Sequence, residues 1–409
     1  MSYYREILAN NPTDKEILNK LLGMLNSYEP REALVAALVL VEQRFISENE
    51  RLDAVRVIKK YYQTFLNKPL RLKGMVDLHI HSFYSDAVAT PSEIVVGAWL
   101  EGMEAVSLVN HNTFNGILEA MKAGEILGIK VVPGIEIDVK EKSLGIENMH
   151  IVIYFNFQNS KEFQEWLRKI ENDPVKKEID ELYTTFVENG KRMVEAFNKK
   201  GFRAADGSGE ELSLDEKDVI SSSGEMIVRA RLSEALLKKY GFEKLGADRV
   251  KDIMKKYFTE ELGTYFGRRS LPLDGIAKFV VREGGILIIP HPTEITDKYG
   301  VPMLEKLLNK YAIVEIDGKK YLGIRGVEVY SYKTYRADRI KEFLNLVEEL
   351  NKNHSIYRLD PLIVTVGSDG HFHFRDFAFQ RIPDIQPGGF KVLEDLFKIF
   401  KQTAVRLSK

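Results

Sequence analysis

Two histidines one residue apart, His79 and His81, are the first residues of this sequence able to do chemistry. They lie in the run Asp77-Leu78-His79-Ile80-His81, where alternation along a strand sends both imidazoles to the same side. Four more histidines sit at the edges of short apolar runs: His111 in LVNHNT, His150 in NMHIVIYF, His291 in ILIIPHP and His371 in GSDGH. Carboxylates keep them company at Asp86 (SFYSD), Glu136 (PGIEI) and Asp369 (GSDGH). The chain has no cysteine, so disulfides, thiolate nucleophiles and sulfur-ligated metals are excluded. What remains is metal ligation by imidazole and carboxylate. Burial preferences alone do not produce such a set, because buried polar groups cost free energy unless paired.

These residues need elements that bring them together. From Met75 onward the sequence alternates strand-length apolar runs with helical stretches. Seven runs stand out: Met75–His81, Ala105–His111, Lys130–Asp138, Met149–Phe155, Gly285–His291, Gly326–Ser331 and Leu362–Ser368. Most are continuous and β-branched, as in a parallel sheet buried on both faces. A βα barrel collects the C-terminal ends of its strands on one face, where distant ligands converge. The expected fold is therefore α/β, a barrel of seven strands behind an all-helical N-terminal domain. Residues 1–72 are expected to form the helical domain and 73–388 the barrel, with a charged helical insertion at about 159–279. Flexible joints are expected within the insertion at Ala204–Glu211 and Ser221–Gly224, and residues 389–409 should form an amphipathic helix packed on the barrel.

Composition narrows the function classes. The 409 residues hold 59 Lys and Arg against 60 Asp and Glu, so no overall field attracts a polyanion. Any anionic ligand must find a local site. The longest apolar run, Ala33–Val41, is far short of the ~20 residues that span a bilayer. The first ten residues hold no apolar stretch of signal-peptide length, so a cytoplasmic protein with no membrane partner is expected.

In the order DLHIHSFYSD, VNHNT, PGIEI, the His150 strand, GGILIIPHP, GVEVYS and GSDGH, the chain from about Lys73 to Pro387 resembles the PHP (polymerase and histidinol phosphatase) superfamily. Within it the resemblance is to the stand-alone metal-dependent phosphoesterases. It implies a distorted seven-stranded βα barrel of the PHP type holding up to three divalent metal ions. Carried over position by position, His79, His81, Glu136 and Asp369 would hold one ion. Glu136 would bridge to a second, held by His150 and His291, while Asp86, His111 and His371 would hold the third. His79, His81, Glu136, His291 and Asp369 are the ligands expected to carry catalysis. Arg229 and Arg269 align with arginines that clamp a phosphate in similar phosphoesterases. Two positions depart from the pattern: Asn110 stands where the family usually has Asp, and Arg231 where an Arg-x-His pattern would place His.

Three divalent ions among neutral imidazoles and three carboxylates leave a net positive site, attractive to a phosphate ester. The ligand set suits manganese, iron or zinc, with manganese the first choice. The function expected is hydrolysis, through a metal-bridged hydroxide, of a phosphate ester of a nucleotide or short oligonucleotide. Histidinol-phosphate phosphatase is the alternative enzyme, and a non-catalytic scaffold or regulatory module the alternative class. The N-terminal helices carry no ligand cluster or basic stripe, so packing or homo-oligomer formation is their default role.

Overall fold

The structure is a computed structural model that describes residues 15–27, 29–66, 75–219, 225–259, 269–331, 334, 336–371 and 394–399. Its strands are β1 (Val76–Ile80), β2 (Ala105–Leu108), β3 (Lys130–Val131), β4 (Gly134–Glu141), β5 (Ile146–Tyr154), β6 (Leu271–Pro272), β7 (Ile286–Ile289), β8 (Ile313–Ile316), β9 (Lys319–Leu322), β10 (Ile324–Ser331) and β11 (Ile363–Gly367). Each of the seven expected runs is strand, with two amendments. Pro133 interrupts the third, dividing it into β3 and β4, since proline has no N–H for the ladder. Between β7 and β10 the chain also makes a two-stranded hairpin, β8–β9, turned by Asp317-Gly318.

The strands pair as a parallel sheet β1-β2-β3 and a mixed sheet β11-β10-β7-β5-β4-β6. This corrects the expectation of a parallel sheet, because β5 runs antiparallel to both β4 and β7. Among the described residues the ladders do not close into one continuous seven-stranded barrel. Single bridges join the two sheets instead, Ile80 to Gly370 on one side and His111 to Glu136 on the other. Both bridges lie at the ligand-bearing ends of the strands, so the sheets meet where the site is.

Helices cover the sheets. Pro91–Leu100 starts at Thr90, whose hydroxyl accepts from Glu93 N while the Glu93 side chain returns to the Thr90 N–H. The N-terminal helices Lys15–Met24, Pro30–Leu40 and Glu48–Phe65 do not keep a core to themselves. Leu21, Val55 and Ile58 belong to the same apolar cluster as Val95, Met121 and Leu127. Arg51 seals the junction, donating Nε and Nη2 to the two carboxylate oxygens of Glu119 at 2.8 and 2.7 Å. Over its described part, the expected N-terminal region is all-helical and packs on the α/β core.

The insertion begins with Ser160–Ile170 and the long helix Pro174–Lys200, whose first turns share the main core through Ile179 and Leu182. Its later part has its own cluster, including Phe197, Leu236, Tyr257 and Phe258. The expected joint at Ala204–Glu211 is a closed turn: Ala204 N donates to Glu210 O and Arg203 bridges Glu211. The second expected joint, Ser221–Gly224, lies outside the described residues. Toward the C-terminus, residues 394–399 place Leu396 and Ile399 among Val76, Val152 and Ile288; the rest of the expected 389–409 helix lies outside the described residues. No helix among the described residues is long and apolar enough to cross a membrane.

Candidate metal centre

All nine sequence-predicted ligands converge. Four groups of ligand atoms lie within 4.8 Å of one another: His79, His81, Glu136 and Asp369; Glu136, His150 and His291; His81, Asp86, His111 and His371; and His111, Asp138 and His150. The first three are the clusters expected, with His81 added to the third. Glu136 stands between them. Its Oε1 lies 3.0 Å from His291 Nε2 and 3.2 Å from His150 Nδ1, while Oε2 lies 3.3 Å from Nε2 of His79, His81 and His111.

Backbone geometry explains the convergence. His150 is the central residue of β5, where the antiparallel pairing sets it opposite Asp138, two residues past Glu136 on β4. Just beyond the other strands, Asn112, His291 and Asp369 have φ of 56°, 26° and 52°, a left-handed region that non-glycine residues enter at a cost. Sharp turns thus aim His291 and Asp369 back over the strand ends. Asp369 N donates to His79 O at 2.8 Å and His81 N to Gly370 O at 3.0 Å, tying the last loop to β1.

Four carboxylates that the sequence pattern does not single out support the ligands. Glu328 Oε2 lies 2.7 Å from His79 Nδ1, and its Oε1 accepts from His291 N at 3.4 Å. Asp138 Oδ1 lies 3.2 Å from His150 Nε2, and its other oxygen accepts from Asn112 Nδ2 at 2.6 Å. Asp77 Oδ1 accepts from the N–H groups of Ser368 and His79. Glu294 reaches Nδ1 of His291 and of His150 at 3.3 and 3.5 Å. Glu328 and Asp138 do carry a signal: each is a carboxylate between two apolar strand neighbours, Val327 and Val329 or Ile137 and Val139, where a buried charge is costly.

The donor set fits metal ions. A carboxylate only accepts, so His79 Nδ1 carries the proton toward Glu328 and Nε2 is left with a lone pair. That lone pair faces His81 Nε2, Glu136 Oε2 and Asp369 Oδ1 at 3.1, 3.3 and 3.5 Å. Acceptors gathered around one point call for a cation. His111 and His291 likewise turn Nε2 toward Glu136, at 3.3 and 3.0 Å.

The electrostatics agree. Burial pushes the Glu136 carboxyl up, but His111, His150 and His79 outweigh it and hold it well below the usual range. Burial likewise opposes charge at Asp86 and Asp369, and facing histidines keep both well below the ordinary value. Burial lowers His79, His150 and His371, yet adjacent carboxylates win: the first two are held well above the ordinary value, and His371 is pushed to about 9. At His111 burial prevails and the value falls to about 4. Without an ion the carboxylates favour a second proton on the rings of His79, His150 and His371, which a divalent ion would displace.

The predicted substrate arginines lie in the insertion. Arg229 opens the helix Arg229–Leu245, where its carbonyl accepts from Ser233 Oγ. Arg269 is half exposed, its Nη2 3.8 Å from Glu181 Oε2 on the long helix.

Residues 77–262 match the model of the PHP domain. Among curated proteins, the chain is 41% identical over 76 residues to a 5'-3' exoribonuclease of Haemophilus influenzae, covering 19% of this chain and 27% of that protein. It is 37% identical over 76 residues to a phosphoribosyl 1,2-cyclic phosphate 1,2-diphosphodiesterase of Eggerthella lenta, 19% and 29% of the two chains. It is also 35% identical over 77 residues to a 3',5'-nucleoside bisphosphate phosphatase of Chromobacterium violaceum, 19% and 26%. The chain thus spans between a quarter and a third of the length of these relatives. Two solved structures share the fold. A candidate metal-dependent phosphoesterase of Bifidobacterium adolescentis has TM-score 0.53 at 19% identity, covering 75% of this chain and 90% of that one. An amidohydrolase of Chromobacterium violaceum with bound sulfate has TM-score 0.51 at 20% identity, covering 73% and 87%.

Proposed function

We propose that the chain, whose residues 77–262 match the PHP domain model, is a metal-dependent phosphoesterase acting on a phosphate ester of a nucleotide or short oligonucleotide. The observation that carries this reading is Glu136, whose two carboxylate oxygens face different histidine clusters. A carboxylate so placed would join neighbouring ions into one centre. Three relatives support the class of substrate, since an exoribonuclease, a cyclic phosphodiesterase and a bisphosphate phosphatase all act on phosphate esters of sugars or nucleotides.

Divalent ions bound here supply Lewis acidity and lower the pKa of coordinated water. The chain's own residues arrange the rest. His79, His81, Glu136 and Asp369 would hold one ion; Glu136, His150 and His291 a second; Asp86, His111 and His371, with His81 beside them, a third. Glu328 holds His79 with its Nε2 lone pair toward the centre, and Asp138 steadies His150 from the opposite ring nitrogen. Arg229 and Arg269 provide guanidinium groups for phosphate oxygens of the substrate. Manganese is the first metal to test, with iron and zinc beside it.

The test is phosphate release with added manganese from a nucleoside 3',5'-bisphosphate, a 5'-phosphorylated oligoribonucleotide, an aryl phosphate and histidinol phosphate, with His291→Ala as control. Turnover on the first two that disappears in the variant supports the reading. Turnover on histidinol phosphate alone would replace the substrate class, and equal activity in His291→Ala would overturn the metal centre.

A further inference from the structure

Arg231 is 1% exposed and its guanidinium is shared between two parts of the chain. Nη2 donates to Phe83 O at 2.5 Å and Ala87 O at 3.1 Å, while Nη1 donates to Glu225 Oε2 at 3.1 Å and Met226 O at 2.9 Å. The two far carbonyls flank the turn that carries Asp86. Tyr183, also from the insertion, donates its hydroxyl to Tyr84 O at 2.5 Å. From the opposite side Asn110 Oδ1 accepts from Ser82 N at 2.7 Å and from Ser85 Oγ at 3.1 Å, and Nδ2 donates to Asn115 O at 2.8 Å. Asn110 and Arg231 are the two residues that depart from the expected pattern, and both act on this turn.

We propose that Arg231 is a positioning residue: from the insertion it fixes the Phe83–Ala87 turn and so places the Asp86 carboxylate in the third ligand cluster. The Asp86 side chain is a quarter exposed and lies 2.9 Å from His371 Nε2 and 3.5 Å from His111 Nε2. It sits at the open edge of the centre, where burial alone does not fix a short side chain. A planar guanidinium holds two carbonyls in a set geometry, which a lysine ammonium on a flexible stem does not reproduce and an imidazole has too few N–H groups to match. The ion pair with Glu225, 0% exposed, offsets part of the cost of the buried charge and leaves Nη2 for the turn, while Nε has no hydrogen-bond partner. The insertion thereby controls occupancy of one metal position. This rests on the proposed metal centre.

The test uses the full chain, with metal content measured after equilibrium dialysis across a range of free manganese. Arg231→Lys should weaken one bound ion by about tenfold or more, as expected for an outer-shell residue, and leave the others in place. The manganese concentration for half-maximal phosphate release should rise, with kcat recovered at saturation; a general packing defect would not be restored by metal. In an Asp86→Asn background Arg231→Lys should add no further loss. A folded Arg231→Lys with wild-type occupancy at every manganese concentration, or a loss that adds in full to that of Asp86→Asn, overturns the proposal. If Arg231→Lys does not fold, Tyr183→Phe decides in its place: a smaller shift of the same ion supports the proposal and wild-type occupancy overturns it. Wild-type protein that binds no divalent ion would instead remove the metal centre itself, a result distinct from the others.

Discussion

The Nδ1 atom of His79 lies 2.7 Å from Oε2 of Glu328, with both side chains fully buried. The pair sets which ring nitrogen of His79 faces the centre, and it joins β10 to β1, two strands that do not pair in a ladder. Glu328→Gln keeps the size of the side chain and removes the charge that makes His79 a better donor. Metal affinity should fall about 10- to 100-fold, read by dialysis, with the folded structure retained by circular dichroism. Unchanged affinity would mean that the His79 orientation is set by packing alone.

Gly367 ends β11 directly against this pair. A Cβ placed there would stand 2.1 Å from His79 Cβ and 2.8 Å from Glu328 Oε2. Contacts this close to a strand-borne Cβ leave no flexible side-chain end to give way. Gly367→Ala should cost about 1–3 kcal/mol in urea unfolding, the range for overpacking, and also weaken metal binding because the shift falls on His79. Loss of stability with wild-type metal affinity would separate the strand from the ligand.

Protonation supplies a pH signature for the metal-free protein. Burial disfavours charge on His371, but Asp86 outweighs it and raises the value to about 9, above the ~6.5 of an unfolded chain. A raised histidine contributes stability that is full below ~6.5 and lost as pH climbs through about 9. His79 and His150, raised by their carboxylates, act with the same sign, whereas the shift of His111 to about 4 falls outside this window. With chelator present, Tm should therefore decline from about pH 6.5 to about 9, and the stabilisation by manganese should grow over the same interval. A flat profile in chelator would contradict it.

Much of the site is legible in the sequence because metal ligation needs rare residue types at recurring places. His79 and His81 share a strand face, and the turns after β2, β7 and β11 each carry a ligand. His150 stands out even when its strand is taken as parallel, since it is the central residue of β5 and its depth along the sheet changes little with the strand's direction. Glu328 and Asp138 escape notice although both lie within runs that read as strand. Nothing local tells whether a carboxylate in an apolar strand binds a metal or orients a histidine, because that depends on partners far away in the chain, such as His79 for Glu328. The same holds for Arg51, whose partner Glu119 is 68 residues distant and whose pairing ties the N-terminal helices to the α/β core.

That buried pair carries the remaining prediction. Arg51 is 2% exposed and donates to both oxygens of Glu119, while Nη1 also reaches Gln43 O and Ile46 O; Glu119 in turn accepts from Ser92 N and Oγ. Removing one charge leaves the other buried and unpaired, which costs about 3–5 kcal/mol. Arg51→Met should therefore destabilise the protein by roughly that amount in denaturant unfolding. The double variant Arg51→Met with Glu119→Leu should recover part of it, because the stranded charge is gone. Neither residue touches a ligand, and only Phe83, under the Arg51 guanidinium, leads to one, Asp86; the ions of the other two clusters should therefore keep wild-type manganese affinity in the folded fraction of both variants. If Arg51→Met unfolded with wild-type stability, the N-terminal helices would be held by their apolar contacts, such as those of Val55 and Ile58, without help from the ion pair.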